Sequence, residues 1–101
     1  MSRATGPVRV VIVDDHQMVL DGLRAMLAAY SEQVQILAEA TEPDLALKAI
    51  TLLEPDIILL DVRLRGSSGL DLCAEIRKRQ PACKVVFLTV YDDEQYLYQA
   101  L

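Results

Sequence analysis

Four polar side chains in this sequence stand directly after short apolar runs. Asp14 and Asp15 follow Val8-Arg9-Val10-Val11-Ile12-Val13, and Asp61 follows Ile57-Ile58-Leu59-Leu60. Thr89 follows Val85-Val86-Phe87-Leu88. Apolar runs of this length, rich in β-branched residues, read as strands buried on both faces of a parallel sheet. In such a sheet ligands and chemistry collect at the carboxyl ends of the strands. If these strands are neighbours, three carboxylates and a hydroxyl meet at one edge. Carboxylates so close repel one another strongly, and a hard divalent cation relieves them. Mg²⁺ prefers a few carboxylate oxygens plus waters, so the set reads as a Mg²⁺ site able to accept phosphate, with Asp61 at its centre. Each member alone has a plainer explanation. An Asp after a strand is most often a cap or turn residue, and a Thr at a strand end is usually a β-branched strand residue. The specificity lies in the combination.

The intervening segments supply the elements that must hold this edge together. Gln17 to Tyr30 carries apolar residues at 19, 20, 23, 26, 27 and 30, the spacing of an amphipathic helix, with Asp15 placed to cap it. Val34 to Ala40 alternates in part and is expected as an edge strand. Thr41-Glu42-Pro43-Asp44 opens a second helix with Pro43 in its first turn, and Leu45, Leu47, Ala49, Ile50 and Leu53 form its stripe. That helix ends at Glu54-Pro55, because a residue before proline avoids the helical basin. Val62 to Gly69 is expected as a loop with Gly66-Ser67-Ser68-Gly69 its flexible part. Leu70 to Arg79 is a third helix facing inward with Leu70, Leu72, Cys73 and Ile76. Tyr91 begins a fourth helix that runs to Leu101. Strand and helix alternate four times with short connections. That pattern predicts a parallel sheet with right-handed crossovers and helices on both faces.

Composition narrows the function classes. A chain of 101 residues is enough for one domain. With 52% hydrophobic and 25% charged residues it has a globular balance. The formal net charge of -5 leaves too little cationic surface to grip nucleic acid unaided. Cys73 and Cys83 lack metal-type spacing and read as small buried thiols in a reducing compartment. No apolar run approaches the roughly 20 residues of a membrane span, and Asp14-Asp15 interrupts any signal-type apolar segment. A soluble, cytoplasmic chain is expected. His16, the one histidine, is read as a neutral residue of the helix-cap region rather than a catalyst.

The runs V-I-V-D-D-H, D-I-I-L-L-D, G-L-D-L and V-V-F-L-T together resemble the receiver domain of bacterial two-component response regulators. The closing V-Y-D-D-E-Q-Y-L-Y-Q-A-L is most similar to the NarL/LuxR-type subfamily, which carries a helix-turn-helix output domain. The resemblance spans residues 8–101. It implies a flavodoxin-like (CheY-like) doubly wound parallel sheet of order 2-1-3-4, with the fifth strand and fifth helix of the family missing from this chain. Residues 1–7 would be a disordered N-terminal arm, and 8–101 a receiver domain truncated within its fourth helix.

The resemblance also implies roles. Asp61 matches the phosphoacceptor that attacks a phosphohistidine on a sensor histidine kinase. Asp15 matches a direct Mg²⁺ ligand, Asp14 the acid holding the ion through water, and the Arg63 backbone carbonyl a further ligand. Thr89 matches the switch hydroxyl that turns toward the attached phosphoryl group. DNA would be reached only through a C-terminal domain not in this chain. Two departures stand out. V-R-L-R-G replaces a loop in which the family commonly has Met-Pro, so greater mobility around Arg63 is expected. None of Lys48, Lys78 and Lys84 follows a terminal strand, so none matches the family's phosphate-pairing lysine. The strand at Val85–Leu88 would then be an uncovered edge, and self-association is expected. The rival reading is a phosphorylation-independent dimerisation or interaction module. An aspartyl-phosphate phosphatase is set aside, since position 63 is Arg where a general acid is needed. Nucleotide binding is set aside because Val13-Asp14-Asp15-His16 offers acid in place of phosphate-binding glycines.

Overall fold

The structure, a computed structural model, describes residues 6–64 and 67–88. Their order is β1 (Val8–Val13), α1 (Gln17–Ala28), β2 (Val34–Ala40), α2 (Pro43–Leu53) and β3 (Ile57–Asp61). There follow β4 (Arg63–Leu64), β5 (Ser67–Ser68), α3 (Gly69–Arg79) and β6 (Lys84–Leu88). The four long strands form one parallel sheet in the order β2-β1-β3-β6, the expected 2-1-3-4 arrangement. Thr89, Arg65, Gly66, the fourth helix and residues 1–5 of the N-terminal arm lie outside the described residues.

Alternation along the central strands divides the core between two faces. Val11, Val13, Ile58 and Leu60 pack with Ala46 and Ile50 of α2 and with Leu72, Cys73 and Ile76 of α3. Val10 and Ile12 pack on the opposite face with Leu20 of α1, flanked by Leu23, Ile36, Ile57 and Leu59. Burying one such aliphatic side chain contributes about 1.5–3 kcal/mol. Ile12, Ile58 and Leu60 are inaccessible to solvent, so β1 and β3 are the most firmly anchored elements. Those two strands carry the acidic residues at their ends.

Several local expectations are corrected. Helix α1 stops at Ala28, and the chain turns with the Tyr30 carbonyl accepting from the N–H groups of Gln33 and Val34. Tyr30 is therefore exposed rather than the last member of the helical stripe. Leu45 and Leu70 are also exposed. The inward positions of α2 are Ala46 and Ile50, four residues apart, and those of α3 are Leu72, Cys73 and Ile76. The N-cap of α1 is His16, not Asp15.

The segment after Asp61 is a short antiparallel ladder rather than an open loop, with Arg63 opposite Ser68 and Leu64 opposite Ser67. Leu64 is buried in the core shared with α2 and α3, which anchors β4. Ser68 caps α3, its Oγ accepting from the Leu70 N–H at 3.1 Å.

The end of α2 is built as the Glu54-Pro55 pair suggests. Glu54 leaves the helix in the left-handed region at φ 47°, and its N–H donates to the Ile50 carbonyl. The Arg9 guanidinium reaches across from β1 and donates to the carbonyls of Leu53 at 2.8 Å and Glu54 at 3.1 Å. These contacts satisfy carbonyls that a helix end leaves without intrahelical partners. The two cysteines are buried and unpaired with each other, as expected. Among the described residues no helix is long and apolar enough to cross a membrane.

Candidate functional site

The register of the sheet brings the acids together. Val13 of β1 lies beside Leu60 of β3, so the next residues, Asp14 and Asp61, emerge at the same edge. Asp14 is 1% exposed and its backbone N–H donates to the Ala40 carbonyl at the end of β2, which fixes the strand end. Asp61 is 8% exposed, and its Oδ1 accepts the Arg63 N–H at 3.0 Å. The Asp15 side chain is almost as enclosed. Three carboxylates from two strands thus share one small volume.

His16 completes the cluster. Its backbone N–H donates to Asp14 Oδ1 at 2.8 Å, and its ring Nδ1 stands 3.0 Å from the same oxygen. Nδ1 is also 3.0 Å from Asp15 Oδ1 and 3.7 Å from Asp61 Oδ2. One donor atom from each of Asp14, Asp15, His16 and Asp61 lies within 4.8 Å of all the others. The cap-region placement of His16 holds, since it is the N-cap residue of α1. Its side chain makes no cap hydrogen bond, however, and faces the acids instead. The signal available in the sequence was its place beside the acidic pair that follows β1.

The electrostatics follow from this crowding. Burial raises the Asp61 carboxyl above its ordinary range, and the charges of Asp14 and Asp15 push it further the same way. The Arg63 N–H and the His16 ring offset part of that rise. His16 is raised by its hydrogen bond to Asp14 and then by the charge of Asp15. A carboxyl raised on folding binds its proton more tightly in the native state. Its contribution to stability is therefore greatest below the ordinary value of 3.8 and falls as pH rises through the higher native value. Asp61→Asn removes this penalty and keeps an oxygen for the Arg63 N–H. In chelator-treated protein at neutral pH the variant is expected to melt several degrees above the parent. That gap should close as the pH is lowered below the carboxylate range. A variant that melts lower than the parent at neutral pH would contradict this account.

A second unforeseen contributor is Gly69. An added Cβ there would lie 2.2 Å from the Asp61 carbonyl oxygen and 2.8 Å from Val62 Cα. The Gly69 N–H donates to the Val62 carbonyl at 2.9 Å. The glycine read from the sequence as part of a flexible turn is in fact the surface against which the Asp61 backbone rests. Arg63 is joined to the cluster through its N–H, and Thr89 lies outside the described residues.

The donor set fits a divalent cation. Packed carboxylates of which two are buried carry more negative charge than one imidazole can balance, and oxygen donors of this kind suit a hard ion. A flavodoxin-like parallel sheet with an acidic cluster at the carboxyl ends of β1 and β3 defines a receiver-type signalling domain.

The chain belongs to the response regulator receiver domain family, whose sequence model matches residues 10–101. Among curated relatives, transcriptional regulatory protein DegU of Brevibacillus brevis is 30% identical over 94 residues, covering 93% of this chain and 39% of that protein. Oxygen regulatory protein NreC of Staphylococcus haemolyticus is 33% identical over 95 residues, covering 93% and 43%. The chain thus spans about two-fifths of the length of these relatives. Among solved structures, a LuxR-family two-component response regulator from Aurantimonas sp. SI85-9A1 superposes with a TM-score of 0.77 at 26% identity. That match covers 93% of this chain and 66% of the other. The signal receiver domain assigned as NarL of Mycobacterium tuberculosis gives 0.77 at 31% identity, covering 95% and 77%. The receiver is of the NarL/LuxR type, a class typical of transcription regulators.

Proposed function

We propose that this chain is a phosphorylation-controlled receiver in which Asp61 accepts a phosphoryl group from a sensor histidine kinase in a Mg²⁺-dependent reaction. The observation that carries this reading is the convergence of Asp14, Asp15 and Asp61, with donor atoms within 4.8 Å. Asp15, Asp61 and the Arg63 backbone carbonyl would hold Mg²⁺ directly, with Asp14 holding it through water. The bound ion would supply positive charge to neutralise the transferring phosphoryl oxygens.

The chain's own residues do the rest. An Asp61 carboxylate oxygen forms the new bond to phosphorus as the phosphorus–nitrogen bond of the kinase phosphohistidine breaks. The histidine keeps that electron pair. The transition state is loose, so positioning and charge matter more than covalent assistance. The Arg63 N–H on Asp61 Oδ1 orients the carboxylate and leaves Oδ2 facing the cluster. Thr89 is the switch hydroxyl that meets the attached group, and the resulting change is passed to a DNA-binding output domain not in this chain.

Incubation with Mg²⁺ and acetyl phosphate, read by intact mass, is expected to give a single phosphoryl adduct that chelator prevents. An absent adduct, or one indifferent to chelator, would overturn the reading. A phosphorylation-independent interaction module is the second reading, favoured by the exposed Val86 and Phe87 on β6. Sedimentation velocity separates the two. Association that is the same with and without beryllofluoride supports the interaction module, and association strengthened by beryllofluoride supports the phosphorylation switch.

A further inference from the structure

The loop Asp14-Asp15-His16 is three residues long, and both of its ends are tied to β2. At one end the Asp14 N–H donates to the Ala40 carbonyl at 3.0 Å. The other end is α1, which begins at Gln17 and is joined to β2 by a pair of side chains. Arg24 Nε donates to Glu39 Oε2 at 2.8 Å, and Arg24 Nη2 donates to Glu39 Oε1. A two-pronged contact between guanidinium and carboxylate fixes orientation as well as distance. Asp21 holds the guanidinium from the helix side, its Oδ1 accepting from Arg24 Nη1 at 3.4 Å and from Gln17 Nε2 at 2.8 Å.

Glu39 reaches α1 because of an irregularity in β2. The register with β1 places Ile36 beside Val10 and then Ala38 beside Val11, skipping Leu37. A residue inserted in this way exchanges the two faces of the strand beyond it. Val34 and Ile36 pack on the α1 side, whereas Ala38 and Ala40 pack with the α2 and α3 core. Glu39, beside Ile12, is thereby turned toward α1. Its side chain is only 18% exposed, so its charge requires a partner, and Arg24 supplies one. Among the described residues β2 is an edge strand, and beyond the skip only Ala38, Glu39 and Ala40 remain paired with β1. The Arg24 contact falls on the middle one, next to the carbonyl that holds Asp14.

We propose that Arg24 and Glu39 are a positioning pair for the cation site, holding the end of β2 against α1 and so setting the path of the Asp14-Asp15-His16 loop. The proposal rests on the reading of the acidic cluster as a Mg²⁺ site. Neither side chain touches the ion in this role. Arg24 acts through Glu39, and Glu39 acts through the Ala40 carbonyl and the Asp14 backbone. Loss of either frees the end of β2 from α1, and the Asp14 and Asp15 carboxylates lose the spacing that an ion requires. Charge alone predicts a different pattern. Removing the Arg24 cation leaves the site more negative and would raise Mg²⁺ affinity, whereas removing the Glu39 anion would lower it. Loss of positioning lowers it in both.

Arg24→Gln, Glu39→Gln and the double variant, each made in the full chain, test this. In chelator-treated protein, hydrogen exchange of the Asp14 amide is expected to quicken about ten-fold in both single variants. Amides in the middle of β1 should stay within about two-fold of the parent. Mg²⁺ affinity by calorimetry is expected to fall about three-fold or more in both single variants. The double variant should lose no more than the larger single loss, because both changes remove the same contact. A rise in Mg²⁺ affinity in Arg24→Gln, or additive losses in the double variant, overturns the pair. Asp14 exchange that is unchanged, or that quickens only in step with the whole of β1, overturns it as well. These results leave the cation site standing if the parent binds Mg²⁺. A parent that binds no Mg²⁺ overturns the cation site and the role of the pair with it, even where Asp14 exchange quickens.

Discussion

Asp61→Asn is expected to abolish phosphoryl uptake while leaving the domain folded. The two side chains have the same shape, and the amide oxygen can keep accepting the Arg63 N–H that Asp61 Oδ1 accepts at 3.0 Å. What changes is nucleophilicity and charge. The amide oxygen bears no negative charge, and its lone pair is delocalised into the carbon–nitrogen bond. An acyl-phosphate analogue therefore cannot form at a useful rate. Removing one of three crowded carboxylates also weakens the attraction for a cation, so Mg²⁺ affinity should fall by about ten-fold or more. Intact mass after acetyl phosphate and Mg²⁺ is the direct measurement, with calorimetric Mg²⁺ titration beside it. An adduct that survives in Asp61→Asn would move the phosphoacceptor elsewhere. A variant that fails to bind Mg²⁺ but still forms the adduct would separate the ion from the chemistry.

Much of this architecture was legible because strong, unidirectional signals agree. Val8–Val13 and Ile57–Leu60 are apolar on both faces, which places them in the middle of a sheet, and a strand that ends abruptly in Asp delivers that Asp to the sheet edge. The parallel register of Val13 with Leu60 then follows from βαβ connection, and with it the meeting of Asp14 and Asp61. Pro43 and Glu54-Pro55 bracketed α2 because proline acts on the local backbone alone.

The features that escaped are those decided by tertiary contact. Leu64 is buried in the core and pairs with Ser67 in a short ladder where the residue types suggest an open loop, and no local propensity announces that. Leu45 and Leu70 fit a loose apolar count, but helix orientation selects Ala46 and Leu72 instead. Arg9 caps a helix 44 residues away in sequence. His16 belongs to the cap region by position and to the acids by side chain, and only the folded geometry decides which matters.

Gly69→Ala and Gly22→Ala should shift stability in opposite directions. At Gly69 a methyl group would meet the Asp61 carbonyl oxygen at 2.2 Å and Val62 atoms at 2.8 and 2.9 Å. All three are backbone atoms, so no side chain can swing aside. Relief requires moving either the first turn of α3 or the end of β3, each held by the Gly69 N–H bond to Val62 and by buried Leu72 and Leu60. Overpacking a rigid backbone contact of this kind costs about 3 kcal/mol. The displaced segment carries Asp61 and Arg63, so Mg²⁺ binding should weaken together with stability. Gly22 presents the contrary case. It lies within α1, and an added Cβ would meet nothing within 4 Å. There the substitution removes backbone freedom from the unfolded chain and is expected to stabilise by about 0.5–1 kcal/mol. Urea denaturation of both variants, with Mg²⁺ titration of the folded fraction, measures the pair. A Gly69→Ala protein as stable as the parent would show that α3 can slide freely against β3. The close contact beside Asp61 would then have no part in holding the site.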